Sequence, residues 1–329
     1  MSGNVQKGVL FCDDGPVSFS WIATQDSGMK SCLDEARRAS GNDMSVLILG
    51  ENGTGKNLLA EAIHNASRRA AKPCVIVMCS AIPENLVESE LFGHVKGAFT
   101  GADKDHKGRF EIADGGTLVL DDIPEMPLHA QAKILRAVET KRFERVGGEK
   151  TLTADVRIIA TSNRDLEDMI RKGLFRQDLF YRLREMIISL PSLRERKSDI
   201  PLLVETFIGK FNREFGKAVR GVSDVTRNCL ANHRWPGNIR ELQAVIKRGV
   251  SGGGRDYLWL EELGFECQFP EAEIAADGGD LTLAAAERRH IERVLKLAGG
   301  NKLQASKLLK ISRVTLDKKI RDYNIPTVP

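Results

Sequence analysis

The sequence contains no apolar run that approaches the roughly 18–20 residues needed to span a bilayer. Its N-terminal residues also lack the basic start and the long apolar stretch of a secretory signal peptide. Neither internal repeats nor low-complexity tracts are present. These absences favour a cytoplasmic protein built from ordinary folded domains, with no membrane partner.

Cysteine is scarce and shows no ligand-like spacing. The six cysteines include no Cys-x-x-Cys pair, the spacing typical of redox and zinc sites. Two of them, Cys74 and Cys79, fall in an apolar segment that resembles a strand. We therefore expect buried free thiols in a reducing compartment rather than disulfides or metal ligands.

The order of apolar segments predicts the domain organisation. Between about residues 26 and 190, short apolar runs rich in β-branched residues alternate with helical patterns, which predicts a parallel sheet in an α/β domain. Beyond this region the pattern is mostly helical. The predicted divisions are a short N-terminal segment (1–25), the α/β domain (26–190), a smaller α-helical domain (191–258), a linker (259–280) and a C-terminal helical domain (281–329).

Charge is distributed unevenly along the chain. The whole sequence has a net charge of +4, but residues 281–325 contain six Lys and five Arg against two Glu and two Asp, a net charge of +7. The remainder is therefore close to −3. A basic end on a mildly acidic body predicts a nucleic-acid-binding module, with a solvated helix surface as the alternative.

The segment Gly50–Lys56 reads GENGTGK and fits the pattern G-x-x-x-x-G-K between an apolar strand and an amphipathic helix. Its glycines let backbone N–H groups turn toward phosphates, and the helix N-terminus adds partial positive charge. We predict ATP binding through the following residues: Gly50, Glu51, Asn52, Gly53, Thr54, Gly55, Lys56 and Asn57. Asn57 stands where a Ser or Thr usually ligates Mg²⁺, so a bound metal would depend more on phosphates, water and a second acidic site.

A second apolar run, GGTLVLDD, ends in two carboxylates. Asp121 is predicted to hold Mg²⁺ and Asp122 to polarise a water molecule. A third run ends in Thr161-Ser162-Asn163, where a polar side chain of Ser162 or Asn163 would orient that water and sense the γ-phosphate.

Three arginines are further candidates. Arg176 and Arg182 lie six residues apart in FRQDLFYRL and suit the role of fingers that reach a neighbouring subunit's γ-phosphate; structural salt bridges are the alternative. Arg240, at the start of a helical pattern, is predicted to contact phosphate, with a helix-cap salt bridge as the alternative.

Taken in order, six segments resemble one family: GENGTGKN, ESELFGHVKGAFTGAD, GGTLVLDDI, FRQDLFYRL, LPSLRERKSDIP and WPGNIREL. The chain is similar to bacterial enhancer-binding proteins, the sigma-54-dependent transcription activators of the AAA+ ATPases. The resemblance covers about residues 26–250 and resumes in the C-terminal helices. It implies an AAA+ fold with a helical lid, self-association to a hexamer, ATP and Mg²⁺ as cofactors, and sigma-54 RNA polymerase holoenzyme and enhancer DNA as partners.

The same resemblance implies a role for the segment GAFTGA, which has too little apolar surface for a core element. In the family this loop is moved toward the sigma factor by ATP binding and hydrolysis. The implied contact residues are Gly97, Ala98, Phe99, Thr100, Gly101 and Ala102, with Phe99 as the apolar contact, Thr100 as a hydrogen-bonding partner and the two glycines as hinges. The alternative is that Phe99 packs into the base of a hairpin.

The C-terminal region resembles a Fis-type helix-turn-helix, with helices near residues 283–297, 301–309 and 313–323 and Ser312 as an N-cap. Its predicted core consists of Leu303, Leu308, Leu309, Val314 and Ile320. The candidate DNA contacts are Arg313, Thr315, Lys318 and Lys319, with Lys302 and Lys307 near phosphates; simple solvent exposure is the alternative for each.

Three positions depart from the family pattern. Asp122 replaces the usual Glu, Met78 replaces an Asn that pairs with that Glu, and Ser162 replaces a Thr. Because an aspartate carboxylate is about an ångström shorter in reach, and misplacement of that size can lower a rate roughly 100-fold, we expect either a differently positioned water or slow hydrolysis.

The predicted function is an ATP-hydrolysing activator that binds enhancer DNA and converts the closed sigma-54 promoter complex to the open complex. One alternative is a weakly hydrolysing, nucleotide-switched DNA-binding partner in a hetero-oligomer. Another is a different AAA+ machine, such as a helicase or a protein unfoldase. Since only about 25 residues precede the ATPase region, we expect a two-component-type activator without a receiver domain, controlled by a trans-acting regulator, a hetero-oligomeric partner or expression level.

Overall fold

The computed structural model describes residues 15–252, 256–264, 282–297, 302–323 and 325. These residues form two compact units, divided between Cys267 and Gln268. The start of the predicted N-terminal segment, most of the predicted linker and the end of the chain lie outside the described residues. Within the described residues, no helix is long and apolar enough to cross a membrane.

The predicted parallel sheet is confirmed. Its five strands lie in the spatial order β2 (Cys74–Met78), β5 (Thr117–Asp121), β8 (Arg157–Ser162), β1 (Val46–Leu49) and β9 (Met186–Ser189), and every neighbouring pair is parallel. Branched side chains such as Ile48 and Val119 are fully buried because helices cover both faces of the sheet.

Helices and two small antiparallel ribbons complete the α/β domain. One ribbon pairs β3 (Gly93–His94) with β4 (His106–Lys107), and the other pairs β6 (Arg142–Glu144) with β7 (Thr151–Thr153). The helices are α1 (Ser27–Ser40), α2 (Lys56–Asn65), α3 (Val87–Phe92), α4 (Arg109–Ile112), α5 (Leu128–Thr140), α6 (Leu166–Arg171) and α7 (Gln177–Leu183).

The α-helical domain that follows forms its own core around Trp235, which is fully buried. Its described elements are α8 (Asp199–Phe215), β10 (Gly221–Val222), α9 (Asp224–Asn232), α10 (Asn238–Gly252), β11 (Tyr257–Leu258) and α11 (Leu260–Leu263). Strands β10 and β11 pair in parallel. Leu263 packs in this core, so helix α11, beyond the predicted boundary at residue 258, also belongs to this domain, and we call residues 191–264 the lid.

The C-terminal unit contains three described helices, α12 (Leu283–Leu297), α13 (Lys302–Leu308) and α14 (Arg313–Asp322). The predicted N-cap is confirmed, because the Ser312 side chain accepts a hydrogen bond from the Thr315 N–H. The buried residues of this unit are Ile291, Val294, Leu295, Ala305, Leu316, Ile320 and Ile325.

The predicted core of this unit is wrong at three positions. Leu303, Leu308 and Val314 are mostly exposed, whereas Leu309 is partly buried and Ile320 is buried. Helix α13 has only two turns, so its few apolar residues do not determine which side of the helix faces the core. The phase observed turns the small side chain of Ala305 inward, and the bulky leucines on either side of it face outward.

The expectation of buried free thiols holds only in part. Cys32, Cys74 and Cys79 are free, but only Cys79 is fully buried. Cys229 is disulfide-bonded, so the prediction that favoured free thiols over disulfides is wrong for this residue.

Candidate functional site

The glycine-rich loop joins the end of β1 to the start of α2. Gly53 and Gly55 have φ angles of +79° and +104°, which only glycine adopts readily. The buried Lys56 side chain folds back over the loop, and its Nζ donates to the carbonyl oxygens of Gly50 at 2.8 Å and Glu51 at 3.2 Å. This ammonium is therefore held at the N-terminus of α2.

The electrostatic setting of Lys56 combines opposing effects. Burial lowers the pKa of its ammonium, whereas the neighbouring carboxylates of Asp122 and Asp121 raise it. The net direction is downward. The cation thus lies close enough to the acidic pair to belong to the same site.

The two predicted carboxylates occupy the end of β5, where hydrogen bonds orient them. Asp121 accepts from the Asn57 amide at 2.8 Å and from the Thr161 hydroxyl at 2.7 Å. The Asp122 N–H donates to the same Thr161 oxygen at 3.0 Å, and Asp122 has a left-handed φ of +56°. Thr161 therefore connects both acidic residues, whereas the sequence pattern predicts its neighbours Ser162 and Asn163 in the site.

Burial raises the pKa of the Asp122 carboxyl, and the Asp121 carboxylate raises it further, while Lys56 acts in the opposite direction. Two buried oxygens in this cleft, Asp122 Oδ1 and Asn57 Oδ1, have no hydrogen-bond partner. Unpaired hard oxygens beside a carboxylate suit Mg²⁺. No group of three His, Cys, Asp or Glu side chains in the described residues could hold a metal alone, so phosphate and water would have to complete its coordination.

Two adjoining cavities surround the loop. The polar one, of about 310 Å³, is lined by Lys56, Met78 and the acidic pair, among others. The other, of about 390 Å³, is mostly apolar. Its walls include Trp21, Ile22, Leu58, Phe207, Ile239 and Gln243. Gly53, Gly55, Leu58 and Arg240 line both cavities, so one elongated ligand could occupy the two together.

Of the three remaining candidates for the cleft, one lines it, one contacts the loop and one lies outside it. Arg240 lines the cleft, and Asn163 donates to the Asn52 side chain of the loop at 2.9 Å. The structure does not bring Ser162 into the site: its hydroxyl donates to the Arg164 carbonyl at 2.7 Å and does not line the cleft.

Several residues that hold the loop from the lid side were missed in the sequence. Arg194 forms an ion pair with Glu51, Arg196 donates to the Thr54 carbonyl, and Asn238 donates to the Asn52 carbonyl. The Glu51 pKa is lowered to about 2, chiefly because Arg194 and Asn238 donate to its carboxylate. All three lie in segments that carried the family resemblance, LPSLRERKSDIP and WPGNIREL, and this was the signal available.

The two candidate finger arginines do not line the cleft of their own chain. Arg176 pairs with Asp178 at 2.7 Å, and Arg182 pairs with Glu185 at 2.9 Å. Both guanidinium side chains are about two-fifths exposed. They are therefore accessible from outside the subunit.

The segment Gly97–Ala102 forms a tight loop between β3 and β4. The Gly97 N–H donates to the Ala102 carbonyl at 2.9 Å, and Gly97 and Gly101 have left-handed φ angles of +83° and +99°. Phe99 is exposed yet contacts the edge of His94, with 5.0 Å between ring centroids. Thr100 is exposed, and Ala98 and Ala102 complete the loop. The resting position of Phe99 thus combines partial packing on a histidine with exposure at a loop tip.

The six DNA-contact candidates fall into two groups. Lys307, Arg313, Thr315 and Lys318 are exposed on α13 and α14. Lys302 instead pairs with Asp317 at 3.2 Å, and Lys319 with Glu287 at 2.6 Å. The exposed group presents three cations and a hydroxyl to solvent.

Comparison with protein families gives three successive matches. Residues 22–189 match the sigma-54 interaction domain, residues 194–275 match an AAA+ ATPase lid domain, and residues 282–323 match the Fis family of bacterial regulatory proteins.

Similar proteins of known identity span the same regions. The chain is 46% identical over 304 residues to the alginate biosynthesis transcriptional regulatory protein AlgB of Pseudomonas putida, covering 92% of this chain and 67% of that protein. It is 43% identical over 318 residues to the regulatory protein AtoC of Escherichia coli, covering 94% and 69%. The crystal structure of NtrX from Brucella abortus in complex with ATP is 30% identical with a TM-score of 0.68, covering 92% and 69%.

Proposed function

The chain belongs to the sigma-54-dependent transcription regulators of the AAA+ class, and we propose that it hydrolyses ATP to convert closed sigma-54 promoter complexes to open ones. Its Fis-type domain would bind enhancer DNA through the exposed face of α13 and α14. The proposal is supported most by one observation: Lys56 and the Asp121–Asp122 pair meet in a polar cleft that adjoins an apolar cavity.

The two cavities fit the two ends of ATP. The adenine base would lie in the apolar cavity, against side chains such as Ile22 and Ile239, and the phosphates would lie over the loop near Lys56 and Arg240. Mg²⁺, when bound, would shield the phosphate charge and would be held by Asp121, with the unpaired oxygen of Asn57 available to it or to its waters.

The two acidic residues would have different roles in hydrolysis. Asp121, with both carboxylate oxygens already oriented by hydrogen bonds, would remain a fixed cation ligand. Asp122, whose Oδ1 is unpaired, would accept a proton from the attacking water. Asn163 would act through Asn52 of the loop rather than on the water itself, and Ser162 has no direct role in this scheme.

Self-association to a hexamer, which the family resemblance implies, would place Arg176 and Arg182 of one subunit at the γ-phosphate of the next. To do so, the two arginines would leave their ion pairs with Asp178 and Glu185 and bind phosphate oxygens instead. Phosphate oxygens bind guanidinium in the same planar geometry as carboxylates do. Movement of the Gly97–Gly101 loop would then present Phe99 and Thr100 to the sigma factor.

The proposal is tested by ATP turnover over a protein concentration series and by open-complex formation on a sigma-54 promoter. We expect turnover per subunit to rise with concentration and to be lost in Lys56→Ala. Phe99→Ala should keep turnover within about twofold but lose open-complex formation, because an exposed loop tip contributes little to the ATPase core. Open-complex formation by Phe99→Ala at the wild-type level would contradict the assigned role of the loop.

A second candidate function rests on Met78, which lines the cleft beside Asp122 and offers no strong hydrogen-bonding group. Under this alternative, the chain binds nucleotide, hydrolyses little and acts as a switched DNA-binding partner in a hetero-oligomer. Nucleotide binding without turnover at any concentration would favour it. A helicase or unfoldase function has no comparable observation in its favour.

A further inference from the structure

Three successive carbonyl groups of the phosphate loop accept hydrogen bonds from the lid side of the molecule. The Asn52 carbonyl accepts from the Asn238 side-chain amide, the Gly53 carbonyl from the Ile239 N–H, and the Thr54 carbonyl from Arg196 Nη2, each at 3.0 Å. Donors on the lid therefore help to set the direction in which the peptide groups of the loop point.

Peptide geometry carries these contacts to the phosphate site. No cis peptide bond occurs in the described residues, and in a trans peptide the carbonyl of one residue and the N–H of the next point in opposite directions. Holding the carbonyls of Asn52 and Thr54 toward the lid side thus turns the N–H groups of Gly53 and Gly55 away from it. Both glycines line the polar cleft, where such N–H groups bind anions.

The donors are themselves held firmly. Asn238 is fully buried with a φ of +52°, and its Oδ1 accepts from the Leu193 N–H at 2.7 Å. Arg196 is 1% exposed and lies 3.9 Å from Asp199, whose carboxylate accepts from three groups of the segment that precedes α1. Neither donor is a surface side chain that could follow a moving loop.

The loop also has no room to move toward the lid. A Cβ atom built on Gly53 would lie 2.3 Å from the Gly237 carbonyl oxygen, so the two backbones already touch. Glu51 adds a further constraint, because its carboxylate accepts from both Arg194 and Asn238.

From this geometry we propose that Asn238 and Arg196 are positioning residues that orient the phosphate-binding N–H groups of the loop. They act through the peptide groups at Asn52 and Thr54 and touch no part of the nucleotide. The inference rests on the proposed function, since it assumes that the loop binds the phosphates of ATP.

The consequence is selective. Loss of the Asn238 donor frees the Asn52–Gly53 peptide to rotate, which weakens binding of phosphates but leaves the apolar cavity intact. A residue that merely supports the fold would instead weaken binding of the whole nucleotide. Comparing ATP with adenosine separates these two cases.

Asn238→Gly is the primary test, because glycine tolerates the positive φ and removes only the side chain. Asn212→Ala is the matched control: Asn212 is also a lid asparagine that bridges a backbone carbonyl and a backbone N–H, both of Val219, but it does not touch the loop. Binding of ATP with Mg²⁺ and of adenosine would be measured by titration calorimetry on the full chain.

We expect Asn238→Gly to weaken ATP binding about tenfold, the loss expected for one well-placed hydrogen bond, and to change adenosine binding less than about twofold. Asn212→Ala should change neither affinity. Arg196→Lys should show the same selective loss, since lysine keeps a cation beside Asp199 but lacks the guanidinium Nη2 donor to the Thr54 carbonyl, and it serves if the glycine variant does not fold.

Equal loss for ATP and adenosine, or unchanged ATP affinity, in a protein whose wild type binds ATP would overturn the inference alone. Wild-type protein that binds no ATP would overturn the proposed function and this inference with it.

Discussion

Asp122 illustrates how a single side chain can serve a site at the expense of the fold. Its carboxylate is partly buried beside Asp121 and has one oxygen without a hydrogen-bond partner. The backbone of the residue lies in the left-handed region. Each of these features opposes folding. Such a cluster of unfavourable features is typical of residues retained for function.

We predict that Asp122→Asn raises the melting temperature at pH 7 while abolishing turnover. Asparagine tolerates the same φ and carries no charge, so the variant escapes the cost of burying a carboxylate next to another. An increase of about 2–4 °C is expected for a domain of this size. Thermal melting with Asp103→Asn as an exposed-acid control tests this; a lower melting temperature in Asp122→Asn would contradict it.

The same stabilisation should depend on pH. Folding raises the Asp122 pKa above the ordinary value of 3.8, so the folded state binds this proton more tightly than the unfolded state. The penalty is therefore absent below pH 3.8, sets in as the pH rises toward the raised pKa, and is constant above it. The difference in melting temperature between Asp122→Asn and wild type should shrink toward zero as the pH falls to about 4.

Met78 permits a direct test of whether hydrolysis is slowed in this chain. It is opposite Asp121 in the register of β2 and β5 and is 55% exposed into the cleft, so a polar replacement does not damage the core. We predict that Met78→Asn combined with Asp122→Glu raises ATP turnover about tenfold or more, because the longer carboxylate and its amide partner position the water better. Met78→Leu with Asp122→Glu is the control, and an unchanged rate in the Asn variant would mean that these residues do not limit hydrolysis.

Among the elements, the phosphate loop and the residue before helix α10 form a close backbone contact beside the site. Gly53 and Gly216, the latter at the C-terminus of α8, both have left-handed φ angles, of +79° and +63°. They differ in surroundings: a Cβ atom on Gly53 meets the Gly237 carbonyl at 2.3 Å, whereas a Cβ atom on Gly216 meets nothing within 4 Å.

We predict that Gly53→Ala destabilises the protein more than Gly216→Ala does. Both variants incur the cost of a left-handed alanine, about 1–2 kcal/mol, and Gly53→Ala adds an overpacking cost of about 1–3 kcal/mol. Urea denaturation followed by tryptophan fluorescence would measure the difference, since Trp235 is buried in the lid. Equal destabilisation would show that the loop can withdraw from the lid.

Elements differ in how well the sequence predicts them. The central strands were predicted because residues such as Leu118 and Ile159 are buried on whichever face they occupy, so a continuous apolar run identifies them without any phase. For helix α13, a prediction of the core must also say which side of the helix is buried. Two turns with Leu303 and Leu308 do not determine that side. Ser312 was predicted because a cap depends on residues only three positions apart.

At the scale of the whole molecule, the polar cleft could be predicted from the sequence and its connections to the lid could not. Lys56 and the acidic pair follow from a local motif and a strand end. The contacts of Arg196 and Asn238 join residues more than a hundred positions apart, and one sequence does not pair such residues. The choice of Ser162 over Thr161 failed for a similar reason: only the fold shows that Thr161 reaches Asp121.

The proposed oligomer predicts complementation between defective subunits. Arg176→Ala keeps its own cleft but supplies no finger, whereas Asp122→Asn supplies a finger but has no proton acceptor. Each alone should be nearly inactive, and an equal mixture should recover about a quarter of wild-type turnover if subunits assemble at random in a closed ring. A mixture no more active than its components would place Arg176 outside any shared site.

The hydrogen bond from the Ile239 N–H to the Gly53 carbonyl has a thermodynamic counterpart. If lid contacts strengthen phosphate binding by some factor, bound phosphate strengthens the lid contacts by the same factor. Nucleotide binding would then also shift the equilibrium between open and closed positions of α8 and α10 toward the closed one. Release of phosphate would shift it back and make the lid more mobile. If the cleft hydrolyses ATP as proposed, the contact of Gly53 with the lid would be the point at which loss of the phosphate loosens the lid.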